Sequence, residues 1–326
     1  MRMILRRLAL YALTAWVAIT VNFVLPRLMP GNPVQTLIGQ LKGRVTPQQI
    51  HAIELSFGIG LHRGLVAQYT GYLYQLIHGN LGVSITTHTN VSTILGQAVP
   101  WTVGLIGIST ILSFLIGTVS GALLGWTRGS RFDSVIPMMT FFQAVPYFFL
   151  GTVVLLVFGL DLHWFPVLGA YSPLLTPNFS WTFIYSLIRY GELPVITIVL
   201  SSVAGWMLGM RNMMITMIGE DFVLMAVAKG LPRRKVIMHA ARNAVLPSVA
   251  NLSLAIGLVV SGALLVELVF NYPGVGNLLL QAVLQEDYPL IQGIFLVITL
   301  TVLAANLVAD VVYLFLDPRT RTEAAV

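Results

Sequence analysis

Long apolar stretches separated by polar segments run through the whole chain. Stretches of about 20 residues with few charges lie at roughly 8–28, 101–126, 135–158, 194–216, 247–270 and 291–316. A helix of that length satisfies its own backbone hydrogen bonds inside a lipid bilayer. The pattern therefore predicts an all-α polytopic membrane protein with six transmembrane helices. Arg211 and Asn212 interrupt the fourth stretch, so we expect that helix to leave the membrane near Met210.

Composition supports a membrane protein and narrows its chemistry. Of the 326 residues, 56% are hydrophobic and 9% are charged, whereas about 25% of the residues of a soluble domain are charged. The chain has no cysteine, which excludes disulfides, thiolate catalysis and metals bound by cysteine. The net charge of +6 does not imply a nucleic-acid partner, because in a membrane protein the position of each basic residue matters more than the sum.

The N-terminus could be taken for a signal peptide, since Arg2, Arg6 and Arg7 precede an apolar run. The run continues to about Leu28, which is long enough to span a bilayer, and no small-x-small cleavage site follows it. We therefore predict a retained first helix.

The distribution of basic residues predicts the orientation. Six crossings put both termini on one side, and most of the 18 Lys and Arg residues fall on that side. The opposite side holds Arg27, Lys42, Arg44, Arg63 and Arg189, spread over longer segments. The positive-inside rule then places both termini and the loop at 211–246 in the cytoplasm.

Two long segments are predicted on the outer side. Residues 29–100 contain turn and cap signals and a helix-like stretch at 47–55, which indicates partial folding. Residues 159–193 are rich in proline and aromatic residues, which favour the membrane interface.

The segment at 218–246 predicts two short helices. Glu220 and Asp221 suit a helix N-terminus, Gly230 ends the first helix and Pro232 suits the first turn of the second. The first helix has a small apolar face formed by Phe222, Val223, Ala226 and Ala228. The second helix begins with three basic residues, Arg233, Arg234 and Lys235. Two interpretations remain open at this point: an ordinary basic loop beside the membrane, or an element that docks into a groove of a cytoplasmic partner.

Four ordered blocks of residues stand out along the chain. The first two are Gly79-Asn80-Leu81-Gly82-Val83-Ser84 and the loop from Glu220-Asp221-Phe222-Val223 through Ala228-Lys229-Gly230-Leu231 to Arg242-Asn243-Ala244-Val245-Leu246-Pro247. The other two are Glu267-Leu268-Val269-Phe270-Asn271-Tyr272-Pro273-Gly274-Val275-Gly276 and Asp287-Tyr288-Pro289-Leu290-Ile291-Gln292-Gly293, and Leu316-Asp317-Pro318-Arg319 follows them. Together these blocks resemble the permease subunits of ABC importers, in the oligopeptide/dipeptide/nickel branch. The general importer motif has Glu-Ala-Ala where this chain has Leu224-Met225-Ala226, so Glu220 is not that motif's glutamate, and the spacing after Gly230 is longer.

The resemblance implies a type I ABC importer permease fold. It implies a first helix and outer segment at 1–96, a transmembrane domain at 97–317 with a coupling loop at 218–246, and a cytoplasmic tail at 318–326. It also implies a second homologous permease chain, two cytoplasmic ATPase subunits and an extracytoplasmic solute-binding protein. The residues expected to couple to the ATPases are Glu220, Asp221, Ala226, Ala228, Lys229, Gly230, Leu231, Arg233, Arg234, His239, Arg242 and Asn243. We expect a charge at Ala226, or Gly230→Pro, to uncouple ATP hydrolysis from uptake.

The chain itself is predicted to be a permease without an ATPase site. A P-loop needs a Gly-Lys pair, and none of Lys42, Lys229 and Lys235 follows a glycine. ATP and Mg²⁺ are therefore expected on partner subunits, with no cofactor on this chain. The six histidines show no i, i+4 pair that would suggest a metal site.

Polar groups at membrane depth are candidates for a gate or a solute path. Gln143, Ser201, Asn251 and Glu267 are the residues that we expect there. Ser202, Ser253 and Pro146 are similar in kind, and small polar residues and prolines are also ordinary devices of helix packing in membranes.

Two other classes of function remain open from the sequence. An ion-coupled carrier would use membrane acids such as Asp310 as relays and would transport without an ATPase. A membrane anchor or signalling protein would move no solute. Within the importer class the resemblance favours oligopeptides or dipeptides, with oligosaccharides or nickel complexes possible, and the sequence does not choose among them.

Overall fold

The structure is a computed structural model that describes residues 2–28, 64–257 and 264–316. Within these ranges the chain is predominantly helical, as the apolar pattern predicts. The helices are α1 (Arg2–Leu28), α2 (Leu65–Ile77), α3 (Val91–Trp126), α4 (Val135–Ala144), α5 (Tyr147–Val154), α6 (Trp181–Ile218), α7 (Asp221–Ala228), α8 (Arg233–Ala244), α9 (Leu246–Gly257), α10 (Leu264–Val269), α11 (Val275–Leu284) and α12 (Tyr288–Leu316). A 3₁₀ helix at Arg131–Ser134 precedes α4, and a π-helical stretch at Leu155–Asp161 follows α5.

The chain divides into two units. The first contains Met1–Pro100 and Val275–Leu303, and the second contains Trp101–Gly274 and Ala304–Val326. The helices α3 and α12 each contribute to both units. The predicted division at 1–96, 97–317 and 318–326 stays a prediction, and the helix-like stretch expected at 47–55 lies outside the described residues.

The first unit is built around the start of α3. Its core consists of Val91, Leu95, Ala98, Val275, Ala282, Leu290, Ile291 and Ile294. Gly293 of α12 lies so close to Val91 that a side chain at position 293 would collide with it. In the same unit Phe23 of α1 packs against Tyr69 and Tyr72 of α2, which holds α2 beside the first helix.

The second unit is held by close packing of α3 against α6. Gly117, Gly121 and Gly125 lie one turn apart on α3, and a Cβ atom on any of them would collide with α6. At Gly125 the added atom would lie 2.7 Å from Cβ of Met214. Small residues at i, i+4 spacing allow membrane helices to approach backbone to backbone. Ser113 and Ser202 add a hydrogen bond of 2.8 Å between the same two helices.

The candidate membrane spans differ in detail from the expected pattern. Among the described residues, α3 and α6 are long and apolar enough to cross a membrane, and a bent pair of helices qualifies as a third span. The fourth stretch starts earlier than expected, and α6 continues beyond Arg211 to Ile218. The fifth is described as α9 and α10, with residues 258–263 between them outside the description. The count of six spans therefore stays a prediction.

The third predicted span, 135–158, is not one straight helix. The helical segments 131–144 and 147–161 meet at an angle of 101°. Pro146 has no backbone N–H and its ring restricts the preceding residue, so Val145 is extended with φ −75° and ψ 129°. The proline thus breaks the span instead of only bending it.

Candidate functional site: a helix pair and a buried glutamate

The helix pair α7–α8 forms where the sequence predicts it. Glu220 is the N-cap residue of α7, and Asp221 places an acid in the first turn, where the positive end of the helix dipole favours it. Gly230 adopts φ +71°. Its N–H donates to the Val227 carbonyl at 2.9 Å, and the Leu231 N–H donates to the Ala226 carbonyl at 3.2 Å. These two bonds form a Schellman motif, which needs a left-handed residue and therefore favours glycine.

The inner side of the helix pair packs on the end of α6. Val223 and Ala226 of α7 join three residues of α8 and two methionines of α6 in one cluster. Its buried members are Ala122, Met210, Met214, Val223, Ala226, Val236, Ala240 and Ala244. Small alanines at three of the contact positions let the short helices lie close to α6. Direct packing therefore resists a displacement of the helix pair relative to α6, so the two are expected to move together.

The outer side of α7 is apolar and exposed. Phe222, Leu224, Met225 and Val227 are 40%, 56%, 57% and 58% exposed. On α8, Met238 is 63% exposed, and the first turn of that helix contains bases and no acid. A cluster of exposed apolar side chains on a short helix marks an interaction surface when it is rimmed by polar residues.

The structure sorts the residues predicted for ATPase coupling into two groups. Ala226 is buried against α6 and Leu231 is half-buried, whereas the others are exposed: Glu220, Asp221, Ala228, Lys229, Gly230, Arg233, Arg234, His239, Arg242 and Asn243. The expectation that Phe222, Val223, Ala226 and Ala228 share one apolar face is wrong. Val223 and Ala226 are buried on the side of α7 that packs on α6, whereas Phe222 and Ala228 are exposed.

Glu267 is fully buried, in what we call the Glu267 cluster: Thr102, Glu267, Tyr272 and Gly274. The Thr102 hydroxyl donates to Oε1 of Glu267 at 2.7 Å, and the Tyr272 N–H donates to the Glu267 backbone carbonyl at 2.7 Å. Gly274 lies against the carboxylate, so that a Cβ at position 274 would collide with all three carboxyl atoms. A buried carboxylate needs hydrogen-bond donors in place of water, and the Thr102 hydroxyl supplies one of them. The glycine at position 274 is thus explained by its contact with the glutamate.

Aromatic rings pack against Tyr272 of the Glu267 cluster. Trp101 stacks on Tyr171 with ring centroids 5.6 Å apart and meets Tyr272 edge to face at 6.1 Å. Burial, with a smaller effect of the Glu267 charge, raises the pKa of Tyr272, in the loop after α10, to about 12. The phenol is therefore neutral near pH 7. The Gly169 N–H donates to the Phe270 carbonyl at 2.8 Å, which ties the loop before α6 to the same block.

The other residues predicted for a gate or path are placed separately. Gln143 is exposed on α4, and a Cβ on Gly205 of α6 would lie 3.4 Å from its Nε2 atom. The Ser201 hydroxyl donates to the Ile198 carbonyl of its own helix at 2.9 Å, and Asn251 is exposed on α9. Gln143, Ser201, Asn251 and Glu267 lie on four different helices, whereas the predicted coupling residues share one helix pair. The side chains of Ser253 and Asp310 lie outside the part that the structure describes.

Sequence reasoning missed the role of Asp287. This buried carboxylate accepts hydrogen bonds at Oδ2 from the hydroxyls of Ser84 and Thr86, both at 2.5 Å, and at Oδ1 from the Leu290 N–H at 3.2 Å. The blocks Gly79–Ser84 and Asp287–Gly293 are therefore hydrogen-bonded to each other through Ser84 and Asp287. An acid directly before a Tyr-Pro helix start was the available signal. In the described ranges, no group of three His, Cys, Asp or Glu residues could hold a metal ion.

Comparison with known proteins decides the family. A family model described as the binding-protein-dependent transport system inner membrane component matches residues 114–322. The chain belongs to this family. It is the permease subunit of an ABC importer and not its catalytic part, since ATP is hydrolysed on separate subunits. The alternative of an ion-coupled carrier is not favoured by this match.

Three relatives illustrate the similarity over nearly the whole length. The chain is 35% identical to a di/tripeptide transport system permease protein of Pseudomonas aeruginosa (strain UCBPP-PA14), with 98% of each chain covered. It is 30% identical to a probable peptide ABC transporter permease protein of Sinorhizobium fredii, again with 98% of each covered. An oligopeptide transport system permease protein of Bacillus subtilis (strain 168) is 30% identical over 91% of this chain and 92% of its own.

Proposed function

We propose that this permease subunit forms half of the membrane path of an importer for dipeptides or oligopeptides. The names of its relatives favour peptides, because they include a di/tripeptide and an oligopeptide transport system. A second homologous permease completes the path, an extracytoplasmic binding protein delivers the solute, and two ATPase subunits carry ATP and Mg²⁺. Both termini and the helix pair lie in the cytoplasm, as the distribution of basic residues predicts.

In this proposal the helix pair receives the movement of the ATPases. The observation that supports this role is that α7 has one exposed and one buried side. Leu224, Met225 and Val227 are exposed, while Val223 and Ala226 pack on α6. The exposed side fits an apolar groove on an ATPase subunit. The buried side passes the displacement to α6 as a rigid body, because packed helices shift between discrete arrangements instead of deforming continuously.

The Glu267 cluster is proposed as a gate element at the outer side. Its carboxylate is held by Thr102 and closed in by Gly274. The stacked rings of Trp101 and Tyr171 belong to the same region of the second unit. A change in the packing of α10 against α3 would alter this covered site. Gln143, Ser201 and Asn251 are proposed to face the path.

The test uses the complete complex reconstituted in vesicles, with both permeases, both ATPases and the binding protein loaded with a dipeptide. Met225→Glu places a charge on the exposed side of α7 without touching the buried cluster. We expect ATP-driven uptake to fall about tenfold or more, as for a residue at the centre of an interface. Ala226→Glu is a poorer test, because a charge there would first disrupt the packing on α6.

The control for this test is Thr216→Glu, which adds the same charge at an exposed position of α6 and should leave uptake near the wild-type rate. Equal uptake by the Met225→Glu variant and wild type would contradict docking on α7. Uptake by the purified chain without ATPase subunits would contradict the importer function as a whole.

A further inference from the structure

Asp133 and Arg211 form a partly buried ion pair with a long contact distance, near the helix pair. Arg211 lies on α6, and Asp133 lies in the 3₁₀ helix between α3 and α4. Nη2 of Arg211 and Oδ2 of Asp133 are 3.5 Å apart, and the side chains are only 19% and 27% exposed. Oδ2 also accepts the Gly129 N–H at 2.9 Å. Nε of Arg211 and Oδ1 of Asp133 are shielded from solvent without a hydrogen-bond partner in the part of the chain that the structure describes.

The two unpaired atoms are chemically matched. Nε and Nη2 lie on one edge of the guanidinium, and a carboxylate can accept from both in parallel bonds of about 2.7–2.9 Å. Here one long contact exists where two short bonds could form. A buried donor and a buried acceptor that stay unpaired each cost free energy. The pair therefore gains stability from a small approach of the two elements.

The position of the pair links the helix pair to the broken span. Met210 and Met214, on either side of Arg211, belong to the cluster that seats α7 and α8. The end of α3 contacts the same turn, since a Cβ on Gly125 would lie 2.8 Å from the Arg211 carbonyl. Asp133 lies two residues before Val135, the first residue of α4, and α4 is the first half of the span that Pro146 breaks. A displacement of α6 at Arg211 would therefore be transmitted through Asp133 to the start of α4.

We infer that Asp133 and Arg211 are a positioning pair for coupling. In a second state of the transport cycle they close to two parallel hydrogen bonds and draw the start of α4 toward α6. Movement of the helix pair thereby reaches the bend at 145–146. This role rests on the proposed function, because it needs an ATPase that displaces the helix pair.

The experiment measures ATP hydrolysed per solute taken up by the full complex in vesicles. Arg211→Lys keeps the charge but removes the planar fork, so it cannot make the two parallel bonds. We expect this ratio to rise about threefold or more for Arg211→Lys and for Asp133→Asn, within the range found for residues that modulate coupling. The exchanged pair, Asp133→Arg with Arg211→Asp, should recover most of the wild-type ratio, because the fork and the carboxylate are again opposite each other.

The matched control is the ion pair of Arg189 and Glu192, whose charged atoms are 2.9 Å apart. Glu192→Gln should leave the ratio unchanged. The inference is overturned if Arg211→Lys and Asp133→Asn complexes assemble and keep the wild-type ratio, or if Arg211→Lys fails to assemble, which would show a merely structural role. A wild-type complex without any ATP-driven uptake would instead refute the proposed function.

Discussion

The helix pair and the Glu267 cluster both belong to blocks that the sequence marks, yet they are built in opposite ways. In the cluster, Glu267 is fully buried, its carboxylate accepts the Thr102 hydroxyl, and Gly274 leaves no room for an added atom. In the helix pair, α7 buries two side chains and exposes Leu224, Met225 and Val227. The side chains of the cluster contact one another within the chain, whereas the helix pair leaves an apolar surface exposed, which we propose a partner covers.

This difference predicts different consequences of mutation. A change in the Glu267 cluster disturbs contacts within the chain, so it should lower stability first and transport as a result. A change on the exposed side of α7 removes no internal contact. It should therefore lower coupling while the subunit stays folded in the membrane. The following substitutions test this separation.

The largest effect is expected for Gly274→Ala. The added methyl group would collide with the Glu267 carboxylate, which is fully buried and cannot move into solvent. Overpacking of this kind costs about 1–3 kcal/mol or more. We expect a clear fall in the thermal unfolding temperature of the detergent-solubilised subunit. Gly104→Ala on α3, where the added atom meets nothing within 4 Å, is the control, and equal losses in the two variants would contradict the packing described.

A smaller effect is expected for Thr102→Val. This change keeps the shape of the side chain and removes the hydroxyl that donates to Glu267 at 2.7 Å. Loss of a donor to a buried acceptor costs about 1–3 kcal/mol, so the free energy of unfolding should fall by that amount. Thr102→Ser retains the hydroxyl and should lose much less. If Ser and Val were equally harmful, the hydrogen bond would not be the cause.

The smallest effect on stability is expected for Gly230→Ala, at the turn between α7 and α8. Alanine at φ +71° is strained by about 1–2 kcal/mol. Gly230→Pro also loses the N–H that donates to Val227, so it should be worse. We expect both to reduce uptake per ATP hydrolysed more than they reduce the amount of inserted subunit, which immunoblotting of membranes can measure. If uptake per ATP hydrolysed and the amount of inserted subunit fell equally, the turn at Gly230 would be a purely structural element, like the Glu267 cluster.

Local patterns predicted much of the helix pair. Asp221 at the helix start, Gly230 at the turn and Pro232 before α8 stand where backbone geometry needs them. These rules act over a few residues, so the sequence is enough to apply them. The side on which Ala226 lies was not predictable, because it depends on where α6 runs, and α6 continues two turns beyond the expected membrane boundary.

Long-range contacts account for the rest of what sequence reasoning missed. Asp287 bonds to Ser84 and Thr86 about 200 positions earlier in the chain. The contact of Gly274 with Glu267 likewise depends on a tight turn that periodicity does not reveal. The stripe Gly117, Gly121 and Gly125 carried a recognisable spacing. It indicates a close helix contact without naming α6 as the partner.

The central claim, that the exposed side of α7 is covered by an ATPase subunit, can be tested by thiol labelling, because the chain has no cysteine of its own. Met225→Cys, at a position 57% exposed, should react readily with a maleimide in the free subunit, and Val223→Cys, at a position 2% exposed, should not. In the assembled complex we expect the rate at Met225→Cys to fall about tenfold or more, while Thr216→Cys on α6 stays reactive. An unchanged labelling rate at Met225→Cys after the ATPase subunits bind would contradict the claim.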